Sequence, residues 1–314
     1  MALIFLYMRC TKPANLQKGD AIGIVAPGSP MDKARLARGI DYLKEKGYRV
    51  VTGRSIYNER GYLAGTDAER AEDINTFFAD PNISAIFCAR GGYGSSRLLS
   101  KIDYNTIRKN PKIFVGYSDL TSLQLAILAK TSMVTFSGPM VAIEMGSGIH
   151  KTTEADFWHM MTDNQPVFDI TGDLPLTMLQ SGTAKGRILG GCLSIIVTLL
   201  GTEFCPDFRG AILFLEDVGE PPYKIDRCFS QLHNAGVLDK IAGILLGAFV
   251  NCDPENTGIT IDEIISDYTA ELDIPVVKDL AYGHIDRKVT IPIGIEAELN
   301  TDDGRLSLLE SAVE

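Results

Sequence analysis

The chain has 314 residues, 45% of them hydrophobic and 22% charged, an ordinary globular composition long enough for two domains. A formal net charge of −10 argues against a nucleic-acid partner, which needs a basic face, but leaves cationic or zwitterionic ligands open. No apolar run approaches the ~18 to 20 residues needed to cross a bilayer. Met1 to Met8 is apolar but short, lacks a basic start and a cleavage-like site, and reads poorly as a signal peptide.

In chain order, Ala21 to Ala26 reads as a buried strand, followed by the turn Pro27-Gly28-Ser29-Pro30. Asp32 to Lys46 reads as a helix ending at Gly47, and Tyr48 to Thr52 as the next strand. Thr66 opens a helix that runs to Phe78, with Glu69 three residues later completing a capping box. Ile83 to Cys88 is a strand running into Arg90-Gly91-Gly92-Tyr93-Gly94, and Ser96 to Ser100 starts a short helix. Lys112 to Val115 is a strand, and Asp119 to Lys130 a helix with apolar residues at Leu120, Leu123 and Ile127. Alternating strand and helix predict an α/β unit with a mainly parallel sheet, whose ligands bind beyond the C-terminal strand ends. From Met133 to Gly186 the pattern loosens into an inter-domain crossing. Beyond it, Cys192 to Leu200 reads as a helix, Ala211 to Leu215 as a strand and Ile225 to Ala235 as an amphipathic helix. Ile241 to Ala248 is a strand, Ile261 to Leu272 a helix, and Val276-Val277 a short strand before Ala281-Tyr282-Gly283-His284. Val289 to Ile291, Gly294 to Leu299 and Arg305 to Leu309 close the chain as β-rich segments. Residues 14–135, 136–180 and 181–314 are therefore expected to form an N-terminal domain, a crossing and a C-terminal domain.

Ser118 falls between a strand end and a helix start, the setting of a nucleophile elbow, although Leu120 stands where G-x-S-x-G needs its second glycine. The alternative is a Ser that only caps the helix. A Ser nucleophile needs a base and an acid to orient it. Of four histidines, His150 and His159 lie in the loose stretch and His233 on a surface helix face, while His284 sits in a loop after a strand. Glu216 is the first residue after the apolar run Ile212 to Leu215, and an acid there is costly unless partnered, in the bland case by Arg227. Asp217 and Glu220 compete for the role, but Asp217 should face the opposite side of the strand. The loop Arg90 to Gly94 is a poor phosphate cradle, because Arg97 occupies the third glycine position. As an oxyanion hole it fits better, with the N–H of Asp119 as second donor; a plain tight turn is the other possibility. Six cysteines without a C-x-x-C pair read as reduced core thiols of a cytosolic protein, and no ligand spacing suggests a metal or another cofactor.

These motifs together resemble the LD-carboxypeptidase family of serine peptidases, which includes murein tetrapeptide carboxypeptidases and microcin C immunity peptidases. The resemblance runs from about Leu16 to near the C-terminus. It rests on Val25-Ala26-Pro27, Arg90-Gly91-Gly92-Tyr93-Gly94, Gly116-Tyr117-Ser118-Asp119, Phe214-Leu215-Glu216-Asp217, Pro222-Tyr223-Lys224-Ile225-Asp226-Arg227 and Gly283-His284. Gly28 and Lys224 depart from the usual Ser and Arg, and Met1 to Met8 lie outside the match. The resemblance implies a flavodoxin-like N-terminal domain with a smaller β-rich swivelling domain, the site between them, and a homodimer. It implies a triad of Ser118, Glu216 and His284 and oxyanion donors at Gly92 and Asp119. The implied substrate is a muropeptide tetrapeptide cut at its L,D bond to release D-alanine. An aminoacyl-nucleotide substrate of the microcin type is the runner-up, disfavoured because no long insertion separates Thr183 from Glu216. A non-catalytic ligand-binding module is the rival of another class. Arg90, Lys224 and Arg227 are the basic residues expected to face a substrate carboxylate.

Overall fold

A computed structural model describes residues 10–165, 168–171, 174, 176–252 and 258–314. Met1 to Met8 lie outside the described residues. The N-terminal half alternates β1 (Ala21–Val25), α1 (Lys33–Glu45), β2 (Arg49–Thr52), α2 (Asp67–Ala79), β3 (Ala85–Cys88), α3 (Tyr104–Lys109), β4 (Ile113–Gly116), α4 (Thr121–Thr131), β5 (Thr135–Ser137) and α5 (Lys151–Thr162). There follow β6 (Phe168–Asp169), β7 (Thr177–Gln180), β8 (Thr183–Cys192), α6 (Leu193–Leu199), β9 (Ile212–Val218), α7 (Pro222–Asn234), β10 (Gly243–Val250) and α8 (Ile261–Thr269). The chain closes with β11 (Val276–Lys278), β12 (Ile291–Ile293), β13 (Glu296–Asn300) and β14 (Arg305–Leu308).

Two sheets organise these elements. The first has the order β12-β5-β4-β3-β1-β2, its five N-terminal strands parallel in flavodoxin-like order. β1, β3 and β4 are buried at every position, as expected of strands covered by helices on both faces. The second sheet, β6-β14-β13-β8-β9-β10-β11-β7, is parallel through β8 to β11 and antiparallel at its flanks. The expected α/β architecture with a β-rich second part is therefore present.

Helix α4 is wedged between the sheets, which explains why Thr121 to Leu128 are buried at every position rather than on one face. Its polar residues are satisfied inside: Gln124 Nε2 donates to the carbonyls of Gly116 and Phe136, and Thr121 Oγ1 accepts from the Cys192 N–H at the end of β8, 3.1 Å away.

Four expectations are corrected. The stretch read as loose contains a 12-residue helix, α5, which buries Thr153, Phe157, Met160 and Met161 at helical spacing. His150 caps that helix, its Nδ1 accepting from the Thr152 N–H. The segment near Val289 to Ile291 forms its strand at Ile291–Ile293 and pairs antiparallel with β5 of the first sheet. The short helix expected over Ser96 to Ser100 is a 3-10 segment, Ser95–Lys101, and α8 ends at Thr269 rather than Leu272.

Candidate active site

The C-terminal ends of β1, β3 and β4, three interior neighbours of the first sheet, carry three loops that meet there. Ser118 follows β4 directly and has φ of 65°, a left-handed conformation that costs a non-glycine residue on the order of 1 to 2 kcal/mol. Its Oγ lies 3.0 Å from Nε2 of His284. Nδ1 of His284 lies 2.8 Å from Oε2 of Glu216. Ser118 does not stand at a cap position: Tyr117 is the N-cap of the 3-10 turn Ser118–Leu120 and Leu120 that of α4, and the Ser118 hydroxyl meets His284 instead.

Glu216 and His284 come from the second sheet. Glu216 sits near the end of β9 and is fully buried. Burial pushes its carboxyl upward, opposed by the His284 hydrogen bond and charge. His284 sits in the loop after β11, which is tied back by the Ala248 N–H donating to the Tyr282 carbonyl and the Val289 N–H donating to that of Ala281. Tyr282 is buried and its hydroxyl lies 2.6 Å from that of Ser137 on β5. Asp217 points the other way, as alternation demands, and accepts from the Ser194 and Val218 N–H groups. Glu216, not Asp217, meets the histidine, and Arg227 does not pair with it. His233 is exposed on α7, and His159 lies 3.4 Å from Asp163, so neither competes with His284.

The glycine loop packs against the elbow. Gly92 has φ of 93°, and a Cβ there would fall 2.4 Å from Ser29 Oγ. A Cβ on Gly28 would fall 2.4 Å from the Gly91 carbonyl oxygen. The two loops are zipped together, the Ser29 N–H donating to the Gly91 carbonyl and the Tyr93 N–H to Ser29 Oγ. Asp119 ties this loop to the elbow: its carboxylate accepts from the N–H groups of Ser95 at 2.9 Å and Gly94 at 3.3 Å. Burial raises the Asp119 carboxyl, and those same hydrogen bonds oppose the shift. Arg70, wholly buried, donates to the carbonyls of Pro27 and Gly94 and pairs with Asp67. The glycine that touches the elbow is Gly91, where a Cβ would fall 3.3 Å from Ser118 Cβ and 3.4 Å from the Asp119 backbone nitrogen; Gly92 is the next residue of that loop.

Of the basic candidates, Arg90 donates to the Pro30 carbonyl and pairs with no carboxylate among the described residues. Lys224 pairs with Glu220 at 2.9 Å, and the Arg227 guanidinium lies 5.5 Å from the Tyr223 ring centroid. Among the described residues no cluster of His, Cys, Asp and Glu has the makings of a metal site, and no helix is long and apolar enough to cross a membrane.

Comparison with known proteins gives the family of the chain. The LD-carboxypeptidase N-terminal domain matches residues 22–138 and the LD-carboxypeptidase C-terminal domain residues 185–299. This chain belongs to the LD-carboxypeptidase family. Like its family, it is a serine-type hydrolase. The probable murein peptide carboxypeptidase of Bacillus subtilis is 40% identical over 306 residues, 96% of this chain and 95% of its own length. The microcin C7 self-immunity protein of Escherichia coli is 31% identical over 327 residues, 95% of each chain. A solved structure of a protein of that name with aspartyl sulfamoyl adenosine superposes with a TM-score of 0.91 at 29% identity, covering 97% of this chain and all (100%) of its own. The muramoyltetrapeptide carboxypeptidase of Oxalobacter formigenes superposes with a TM-score of 0.81 at 32% identity, covering 92% and 97%.

Sequence reading missed several groups of this LD-carboxypeptidase site. The carboxylate of Asp119, Ser95 and the buried Arg70 brace the glycine loop, yet only the backbone of Asp119 was singled out. Arg70 carried one signal, a lone cation on the inward face of α2. Tyr117, whose ring lies 5.1 Å from the His284 ring, stood inside the Gly116 to Asp119 motif without a role, and Glu144 and Lys288, which bond its hydroxyl, carried no signal.

Proposed function

We propose that Ser118, His284 and Glu216 are the nucleophile, base and orienting acid of an LD-carboxypeptidase that removes a terminal D-alanine from murein tetrapeptides. The observation that carries this reading is the unbroken line from Ser118 Oγ through the imidazole to a fully buried carboxylate. Ser118 Oγ attacks the carbonyl of the L,D bond as Nε2 of His284 takes its proton. The Glu216 carboxylate holds the Nδ1 proton and stabilises the imidazolium. The N–H groups of Gly92 and Asp119 receive the developing oxyanion. Collapse expels the amine of D-alanine, protonated by His284, and water releases the acyl group by the same steps in reverse order. No metal or cofactor takes part.

A carboxypeptidase must recognise a free terminal carboxylate in a chain of net charge −10. Arg90, Lys224 and Arg227 are the candidates, and Arg90 is favoured because it adjoins the glycine loop and has no acid partner among the described residues. An Arg fork fixes a carboxylate in distance as well as charge. The protein is further proposed to act in the cytoplasm, as a homodimer, in peptidoglycan recycling. The likeness to the self-immunity protein favours a second reading, hydrolysis of an aminoacyl nucleotide.

The test compares a murein tetrapeptide, its C-terminal amide, the pentapeptide and aspartyl sulfamoyl adenosine at equal concentration. The free-acid tetrapeptide should be cut best, the amide losing about 2 to 5 kcal/mol of transition-state binding if a buried charged pair is left incomplete. Equal cleavage of acid and amide would refute carboxylate recognition. Faster cleavage of the nucleotide analogue would favour the second reading.

A further inference from the structure

Behind His284 lies a buried polar cluster that the reaction above does not use. Lys288 follows His284 by four residues, and its side chain is 2% exposed. Its Nζ donates to Glu144 Oε1 at 2.6 Å and to the Tyr117 hydroxyl at 3.0 Å, and lies 4.2 Å from the Tyr117 ring centroid. Tyr117 also donates to Glu144 Oε1, at 2.8 Å. The second oxygen of Glu144 accepts from the Met140 N–H at 2.8 Å. The Tyr117 ring stands edge-on to the His284 imidazole, centroids 5.1 Å apart. Thr153 of α5 completes the hold, accepting from the Lys288 N–H at 2.8 Å and donating to the Asp286 carbonyl at 3.3 Å.

The chain order gives this cluster a purpose. Tyr117 and Ser118 follow β4 of the first sheet, whereas His284 belongs to a loop leaving β11 of the second. Hydrogen-bond reach between nucleophile and base therefore depends on where that loop rests. Lys288, Glu144 and Thr153 pin the far end of the loop to the first half of the chain, and Tyr117 forms the wall against which the imidazole lies. A buried charge pair with complete hydrogen bonds adds little stability over apolar packing, but it fixes one arrangement. We propose that Tyr117, Glu144 and Lys288 form a latch of positioning residues that holds His284 in line with Ser118 across the two sheets.

The proposal rests on the reading of Ser118 and His284 as nucleophile and base, so Ser118→Ala is run beside the latch variants. The substrate is the murein tetrapeptide with a free C-terminal D-alanine. The decisive variants are Tyr117→Phe, which keeps the ring and both charges, and the double variant Lys288→Met/Glu144→Gln, which leaves no charge unpaired. Both should melt near the wild-type temperature. Tyr117→Phe should lower kcat about 5-fold or more and the double variant about 10-fold or more, with KM changed less than about twofold. A merely structural cluster would move the melting temperature and spare kcat. A folded double variant with wild-type kcat overturns the latch, as does a loss confined to KM. Should the double variant not fold, Tyr117→Phe decides alone by the same limits. If Ser118→Ala keeps wild-type turnover, the reading of the site fails; if it is inactive while the latch variants are fully active, the latch alone fails.

Discussion

Glu216 holds a carboxyl in a place where burial favours the neutral form, and its pKa is raised accordingly. The sign of the consequence follows from proton linkage. A carboxyl whose folded pKa lies above its unfolded value binds more protons in the native state, so it costs stability progressively as pH rises above the unfolded pKa. Glu216→Gln removes that cost while preserving shape. Its melting temperature relative to wild type should therefore rise as pH climbs above about 4.5, where the unfolded carboxyl ionises and the buried one resists. The measurement is paired thermal unfolding across that range, and a difference that stays flat would contradict the assignment of desolvation as the dominant influence. The same variant should lose most of its turnover, whereas Asp217→Asn should be milder in turnover, because Asp217 braces the Ser194 N–H and does not touch the imidazole. The three residues of the hydrogen-bonded line were legible one at a time. Ser118 has a strand before it and a helix after it, Glu216 interrupts an apolar strand, and His284 follows a glycine in a strand-end loop. Lys288 and Glu144 were not, because their pairing joins positions 144 residues apart with no local pattern to announce it.

At the scale of elements, the glycine loop depends on its neighbours more than on its own glycines. Gly28 in the turn after β1 allows the loop to approach, since any Cβ there meets the Gly91 carbonyl oxygen at 2.4 Å. Gly28→Ala should push the Gly91–Gly92 segment away from Ser118 and with it the proposed Gly92 donor. A lost oxyanion donor costs about 10²- to 10³-fold in kcat, so a displaced one should cost a large part of that, with the fold retained. Steady-state kinetics with a circular-dichroism control test this, and wild-type kcat in the variant would show that the turn is not what positions the loop. Helices whose caps are conventional were read correctly, as with Thr66 and Glu69 of α2. α5 escaped because its N-terminal cap is a histidine, an uncommon capping group, in a stretch of mixed polarity.

On the scale of the whole molecule, two sheets each supply part of one site. The strand alternation made the first sheet legible, because a parallel strand buried on both faces reads as a continuous apolar run. The second sheet was legible as strands but not as an order. The placement of β12 beside β5 could not be read at all, since nothing local specifies a partner so far away in sequence. Identity of the family supplied what pattern could not, namely that a serine hydrolase of this fold is a carboxypeptidase of L,D bonds. The direct test of that conclusion is the release of D-alanine from a defined murein tetrapeptide, followed with a stereospecific assay in wild type and Ser118→Ala. The wild-type protein should release one D-alanine per tetrapeptide, and Ser118→Ala should fall by on the order of 10⁴-fold or more. No release by the wild type, or a Ser118→Ala protein that keeps a tenth of its turnover, would contradict it.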